Sequence, residues 1–303
     1  MPIEMPAISL VAVPGRRRAT LEVATELDKR GFAGIWSPSM FSNMSLAEAL
    51  CHVTSRIPFA TSIAPIYSRT LTDFAQSAAF IHELSGGRFR LGVGVSHAPS
   101  HVRMGVTPGK PLSDMREFVE KFRASEGLGG LPPVVLAALR TNMVKLAGEI
   151  GDGIVFANAA RSHMAASLQN LPGPKRADSA FAIANMIPTC ISEDVEAAKA
   201  VNRRTLTSYG MLPNYRNYWK EAGYVEEMDA IEKAVAEGRK DDVPKYFSDR
   251  WLADCTLFGP RKKVLEGVEA WRAAGVRTPI IVPSSAAGNQ MKAIEEVMAA
   301  FAA

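Results

Sequence analysis

The sequence predicts an α/β chain folded as a (β/α)8 barrel, the TIM-barrel architecture, with a helical insertion before its last strand. Three observations carry that expectation. Eight short apolar, β-rich runs alternate with longer runs of helical period, a pattern that implies parallel strands joined by crossovers. The 303 residues suit eight such units closed into one domain, residues 1–303, with the insertion at about 210–255. The first strand runs into Val13-Pro14-Gly15-Arg16, which lacks the glycine fingerprint that opens a doubly wound dinucleotide sheet.

The elements follow in order. Residues 7–13 read as the first strand; Leu21, Ala24 and Leu27 stripe the next helix, and Gly31 stops it. Residues 33–36 form the second strand, and Ser45 with Glu48 reads as a capping box before Leu46, Ala49, Leu50 and Val53. Residues 59–63 are the third strand. Thr72 or Asp73 caps a helix that carries Phe74, Ala78, Ile81 and His82 and ends at Gly86-Gly87. Residues 89–95 are the fourth strand, and Asp114 with Glu117 opens a helix bearing Met115, Phe118, Val119 and Phe122. Residues 134–138, 153–157 and 181–187 are the fifth, sixth and seventh strands, with helices over 142–150, over 162–170 and from Ser192 onward. A polar, aromatic, helical stretch over 215–255 interrupts the pattern and reads as a lid or a packing excursion. Pro260 starts a helix through Trp271, Gly275 ends it, and residues 279–282 are the eighth strand.

Composition narrows the function classes. Hydrophobic residues at 47% and charged residues at 22% describe a globular chain, not a disordered one. The net charge of +4 is spread thinly, so no nucleic acid is expected, and Arg16-Arg17-Arg18 reads as a solvated loop. Cys51, Cys190 and Cys255 lie far apart without metal-site spacing and read as idle thiols of a reducing cytoplasm. No signal peptide and no membrane-length apolar run are read. The expectation is a soluble cytoplasmic protein that acts on a small molecule, with no metal site.

One long segment is specific. Residues 58–97 contain Pro65-Ile66-Tyr67-Ser68-Arg69, Leu84-Ser85-Gly86-Gly87-Arg88 and Leu91-Gly92-Val93-Gly94. This unit resembles the third-to-fourth-strand unit of the luciferase-like flavin and deazaflavin oxidoreductases. Residues 26–36, 133–156 and 264–283 are similar to further pieces of that family, so the resemblance covers most of the chain. It is weakest over 98–130 and 165–255.

The resemblance implies a luciferase-like barrel that holds coenzyme F420, or alternatively FMN, at its mouth. It implies a homodimer. It also implies a non-proline cis bond between Ser62 and Ile63, backing the ring, with Gly94, Val95 and Ser96 beside it. The turn Leu139-Arg140-Thr141-Asn142-Met143 opens a helix, whose first N–H groups suit a phosphate; ordinary N-capping by Thr141 or Asn142 is the compatible alternative. Gly92 and Gly94 leave room either for a planar ring or for a close strand contact. His97 is a candidate donor to cofactor or substrate, or a loop histidine bonded to backbone. Arg161 is a candidate substrate-phosphate ligand or a solvated arginine. His101 and His163 read as surface residues.

The sequence departs from the family at the second strand. Ser39 and Met40 stand where many members carry an Asp-His pair, so the usual acid or base is missing there. Ser39 is left as a hydrogen-bonding candidate and Met40 as an apolar wall. The activity implied is hydride transfer between bound F420 and an organic substrate. The alternatives are an FMN-dependent monooxygenase with a separate reductase and a non-catalytic cofactor-binding protein.

Overall fold

The structure, a computed structural model, describes residues 4–302. Its strands are β1 (Ala7–Ser9), β2 (Gly34–Ser37), β3 (Phe59–Thr61), β4 (Ala64–Pro65), β5 (Phe89–Gly94), β6 (Val134–Ala137), β7 (Gly153–Ala157), β8 (Ala182–Ile191), β9 (Leu257–Gly259) and β10 (Thr278–Ser284). The fold is the expected (β/α)8 barrel; the two-residue β4 resumes β3, and β9 is a short extra strand on β8. The chain divides into two compact units, Met5–Val155 with Gln169–Ala184, and Glu4 with Phe156–Leu168 and residues 185–302.

In the first unit the parallel strands run β1-β2-β3-β5-β6-β7. Ala7 stands opposite Gly34, Ile35 opposite Phe59, Phe59 opposite Phe89 and Leu91 opposite Val134. Ile8, Ile35, Leu91, Val135 and Leu136 are wholly buried, as strands covered on both faces require. Around them lie α1 (Arg17–Arg30), α2 (Asn43–Val53), α3 (Leu71–Leu84), α4 (Ala98–Met104), α5 (Pro111–Arg123) and α6 (Thr141–Ile150). Of the predicted stripe of α1, Ala24 and Leu27 are buried, with Val23 beside them, while Leu21 is half-buried; that of α5 is buried at Met115, Phe118, Val119 and Phe122. Asp28, at the end of α1, pins the segment that enters β3: its carboxylate accepts the backbone N–H of Ser55, Arg56 and Ile57 at 2.8, 3.1 and 2.7 Å. Burial pushes this carboxyl's pKa up, but the converging hydrogen bonds outweigh burial and hold it below the ordinary value.

Several expected helix starts move; the helix expected from Ser192 begins at Val195, with Asp194 as the N-cap that accepts the Ala197 N–H. Helix α2 begins at Asn43 with Ser42 as N-cap, so Ser45 sits inside the first turn and bonds the Ser42 hydroxyl instead of forming a capping box with Glu48. Helix α3 is capped by Thr70, whose side chain accepts the Asp73 N–H. Helix α5 begins at Pro111, because proline is tolerated in a first turn. The Arg16–Arg18 run is exposed, as a solvated segment should be, but it forms the start of α1 instead of a loop.

The second unit holds β9, β10 and β8 from Asn185 on. Its helices include Val195–Gly210, Pro213–Glu221, Val225–Ala236, Asp249–Cys255, Arg261–Ala273 and Gln290–Ala300. The stretch expected to be a lid or a packing excursion has the features of the latter. The ring of Trp219 lies 5.5 Å from that of Tyr215 and 4.8 Å from that of Trp251, and Phe247 stacks on Trp251 at 4.1 Å. These rings are buried, and each such side chain removes a large apolar area from water. Strand β9 was not expected, because Leu257-Phe258-Gly259 is too short a run to show a period. No helix among the described residues is long and apolar enough to cross a membrane.

Candidate active site

Barrel sites lie where strands end, and the ends of β2, β3, β5 and β6 carry nearly all of the predicted residues, within the first unit.

Beyond β2, Ser39 is exposed, Met40 is 52% exposed and Phe41 43%. Phe41 and Ser42 hold φ values of 50° and 61°, in the left-handed region that bulky residues avoid. The buried side chain of Asn43 closes this loop: its Nδ2 donates to the Ser37 carbonyl at 3.2 Å and to the Ile63 carbonyl at 3.0 Å. Sequence reading missed Asn43, since a buried amide at a helix start cannot be told from a solvated one by residue type. No acid or base replaces the absent Asp-His pair on this loop.

At the end of β3 the Ser62–Ile63 peptide is cis, as the resemblance implied. The Ser62 N–H donates to the Ser37 carbonyl at 2.7 Å, so the ends of β2 and β3 are tied together. The Oγ atoms of Ser37 and Ser62 are buried and have no hydrogen-bond partner among the described residues. A buried hydroxyl left so costs about 1–3 kcal/mol, which suits a place where a polar group of a ligand or a water completes the bonding.

The glycines of β5 are explained by packing. A Cβ on Gly92 would lie 1.8 Å from the Thr61 carbonyl oxygen, and the Thr61 hydroxyl donates to the Gly92 carbonyl at 2.7 Å. A Cβ on Gly94 would meet Ile63 Cγ1 at 2.9 Å and Ala137 Cβ at 3.0 Å. The space expected for a planar ring against these two glycines is therefore filled by the neighbouring strands. Of the two readings, the structure has the close strand contact, and it makes Gly94 the seat of the Ile63 side chain.

After β5, Val95, Ser96 and His97 are half-buried, and Ser96 sits at φ 62°. His97 is the N-cap of α4, and its carbonyl accepts the His101 N–H at 3.0 Å. Burial, chiefly, and the neighbouring His101 hold the His97 imidazole below the 6.5 of an ordinary histidine; it is neutral at pH 7. His101 is not a surface residue. It is half-buried, its Nε2 lies 2.6 Å from the Val95 carbonyl oxygen, and its ring meets Tyr67 edge-on at 5.5 Å. The Tyr67 hydroxyl donates to Asp114 Oδ2 at 2.5 Å, and the Gly109 N–H donates to the same oxygen at 2.8 Å. Burial and that carboxylate push the Tyr67 phenol well above its ordinary pKa.

After β6, Leu139 and Met143 are half-buried, while Arg140, Thr141 and Asn142 are exposed. The N-cap of α6 is Arg140, and no side chain caps the helix, so the alternative of capping by Thr141 or Asn142 is corrected. The N–H groups of Met143 and Val144 share the Arg140 carbonyl at 3.1 Å. Those of Thr141 and Asn142 meet no acceptor among the described residues. Uncapped donors at the positive end of a helix dipole suit an anion such as a phosphate.

Arg161 lies in the second unit, half-buried in the 3-10 turn Arg161–His163. That turn is held by Asp254, which accepts the Ser162 N–H at 2.9 Å, the Ser162 hydroxyl at 2.6 Å and the Tyr224 hydroxyl at 2.8 Å. His163, expected at the surface, is half-buried edge-on against Tyr218. The cysteines are free, with Cys190 and Cys255 buried. Among the described residues no cluster of His, Cys, Asp and Glu is arranged to hold a metal.

Comparison with known proteins gives the family of the chain. The sequence profile of luciferase-like monooxygenases matches residues 8–127 and 122–278. A Mycobacterium tuberculosis protein, named provisionally as a coenzyme F420-dependent oxidoreductase, is 28% identical over 283 residues, covering 77% of this chain and 81% of its own. The 5,10-methylenetetrahydromethanopterin reductase of Archaeoglobus fulgidus is 25% identical over 93% of this chain and 95% of its own. Among solved structures, the coenzyme F420-dependent tetrahydromethanopterin reductase of Methanopyrus kandleri superposes with a TM-score of 0.77 at 19% identity, covering 98% of this chain and 97% of that one.

Proposed function

The chain belongs to the luciferase-like monooxygenase family, and from that premise we propose that it is an oxidoreductase that transfers a hydride between bound coenzyme F420 and a small organic substrate. The observation that carries this reading is the similarity, over most of the chain, to a protein named for F420 and, in fold, to a reductase whose solved structure is named for F420. The residues present fit such a group. The uncapped first turn of α6, with Thr141 and Asn142, would take its phosphate, flanked by Leu139, Arg140 and Met143. Ser62 and Ile63 would back the ring, with Gly94 acting through the Ile63 side chain it seats and Val95 and Ser96 along the edge.

When bound, the deazaflavin supplies a carbon that accepts or gives a hydride, so the protein needs no nucleophile. Its part is to position and to exclude water. His97, neutral and half-buried, is the group proposed to donate or accept a hydrogen bond or proton at the substrate. Ser39 is proposed as a second hydrogen-bonding group and Arg161 as a contact for a substrate anion. A homodimer in the cytoplasm is the proposed working form.

The family's monooxygenase name favours a second reading, FMN with a separate reductase. Equilibrium titration of the purified protein with each cofactor decides between them. F420 binding well above FMN is expected; tight FMN with no F420 binding would overturn the first reading in favour of the second.

A further inference from the structure

We propose that His101 is a positioning residue for the cofactor: its Nε2–H fixes the Val95 carbonyl and thereby sets the conformation of Val95–His97. The inference rests on the functional reading above.

The chain turns abruptly at this point. Ser96 lies in the left-handed region, at φ 62°, which non-glycine residues adopt at some cost and which persists only where the surroundings enforce it. Two contacts do so here. The Ser96 peptide is preceded by the Val95 carbonyl, which His101 holds at 2.6 Å, and it is followed by His97, whose carbonyl holds the His101 N–H at 3.0 Å. One residue on α4 therefore grips both sides of the left-handed serine, by side chain on one and by backbone on the other.

The ring of His101 is itself held. Tyr67, which leaves the β4 end of the neighbouring strand, meets it edge-on at 5.5 Å. Tyr67 is anchored in turn to Asp114 on α5, and Asp114 is anchored to the Gly109 backbone. The chain of contacts runs from α5 through Tyr67 and His101 to the peptide just before Ser96. A carbonyl accepts only a proton on Nε2, so the geometry requires the Nε2–H tautomer, or the doubly protonated ring. Nothing in the sequence pattern marks His101 out, because its spacing of four from His97 is also that of two solvated neighbours on a short helix.

The test compares His101→Gln, which keeps an N–H near the position of Nε2, with His101→Phe, which keeps the ring against Tyr67 and loses the donor. F420 affinity is measured by fluorescence titration and folding by thermal melting. His101→Phe is expected to weaken F420 binding about tenfold while His101→Gln stays within about threefold, the two melting alike. Nitrogen-15 NMR of the unliganded protein is expected to find Nε2 of His101 protonated. Equal affinities for His101→Phe and wild type, equal losses for both variants, or an Nδ1–H tautomer would each overturn the inference. A wild-type protein that binds neither F420 nor FMN defeats the functional reading, and this inference with it; wild-type binding with no penalty for His101→Phe defeats the inference alone.

Discussion

The turn over Val95–His101 and the ring cluster of Tyr215, Trp219, Phe247 and Trp251 both hold chain in place, and they do it by opposite means. The cluster is apolar, buried and closely packed, with rings 4.1–6.3 Å apart. The turn is half-buried, polar and left-handed at Ser96, and single hydrogen bonds hold it. Stability alone accounts for the first. The second spends backbone strain and buried polar groups on a fixed shape, a combination found where shape serves a ligand. A region that stores strain beside a strand end is therefore a better guide to a site than one with the largest side chains.

Substitutions can break or sharpen this contrast, and the largest effect belongs to the strand that leads into the turn. Gly92→Ala would drive a methyl group into the Thr61 carbonyl, 1.8 Å away, so the backbone of β3 or β5 must shift. A loss above about 4 kcal/mol, or no soluble protein, is expected in denaturant unfolding; a mild loss would mean that the two strands can part. In the cluster, Trp251→Ala should cost about 3–5 kcal/mol by transfer and cavity terms, read as a lower urea midpoint. A cost below about 1 kcal/mol would show that the cluster can collapse on itself.

A smaller effect comes with pH. The folded-state pKa of His97 lies below that of the unfolded chain, so the unfolded state takes up the proton first as the medium is acidified. The contribution of this residue is intact above about pH 6.5 and is lost as pH falls through that value toward the folded-state pKa. His97→Gln should flatten this part of the stability profile; an unchanged profile would place His97 in water. The smallest effect is expected at Met40, 52% exposed, where Met40→Ser should change stability by no more than about 0.5 kcal/mol. A larger loss would give that side chain a packing role.

Most of the barrel was legible because its signals are local and repeated. Buried parallel strands show as short apolar runs, and the stripes of α1 and α5 fall at the spacing the helix dictates. What escaped was short or long-range. Strand β9 has three residues, too few for a period. The start of α2 was misread because Ser45 and Glu48 satisfy a local rule while the fold begins the helix at Asn43. The glycines of β5 carried two readings, and only the distance to Thr61 and Ile63, residues about thirty positions away, chose between them. In the candidate site, the segments 62–63, 94–97 and 139–143 were marked by resemblance to a family and, at 139–143, by the unpaired N–H groups of a helix start. The parts taken by Asn43, Tyr67, His101 and Asp114 were not, since each acts by reaching a partner on another element, and a polar residue type does not disclose its partner.

The amide of Asn43 has a further consequence. It grips the chain at Ser37 and at Ile63, while residues 38–41 arch from β2 to Ser42, the N-cap of α2. The arch is thus a cassette with fixed feet. Its four residues are tied to neither strand by the Asn43 amide, so exchanging them should leave the register of β2 and β3 in place and change only the rim at this corner.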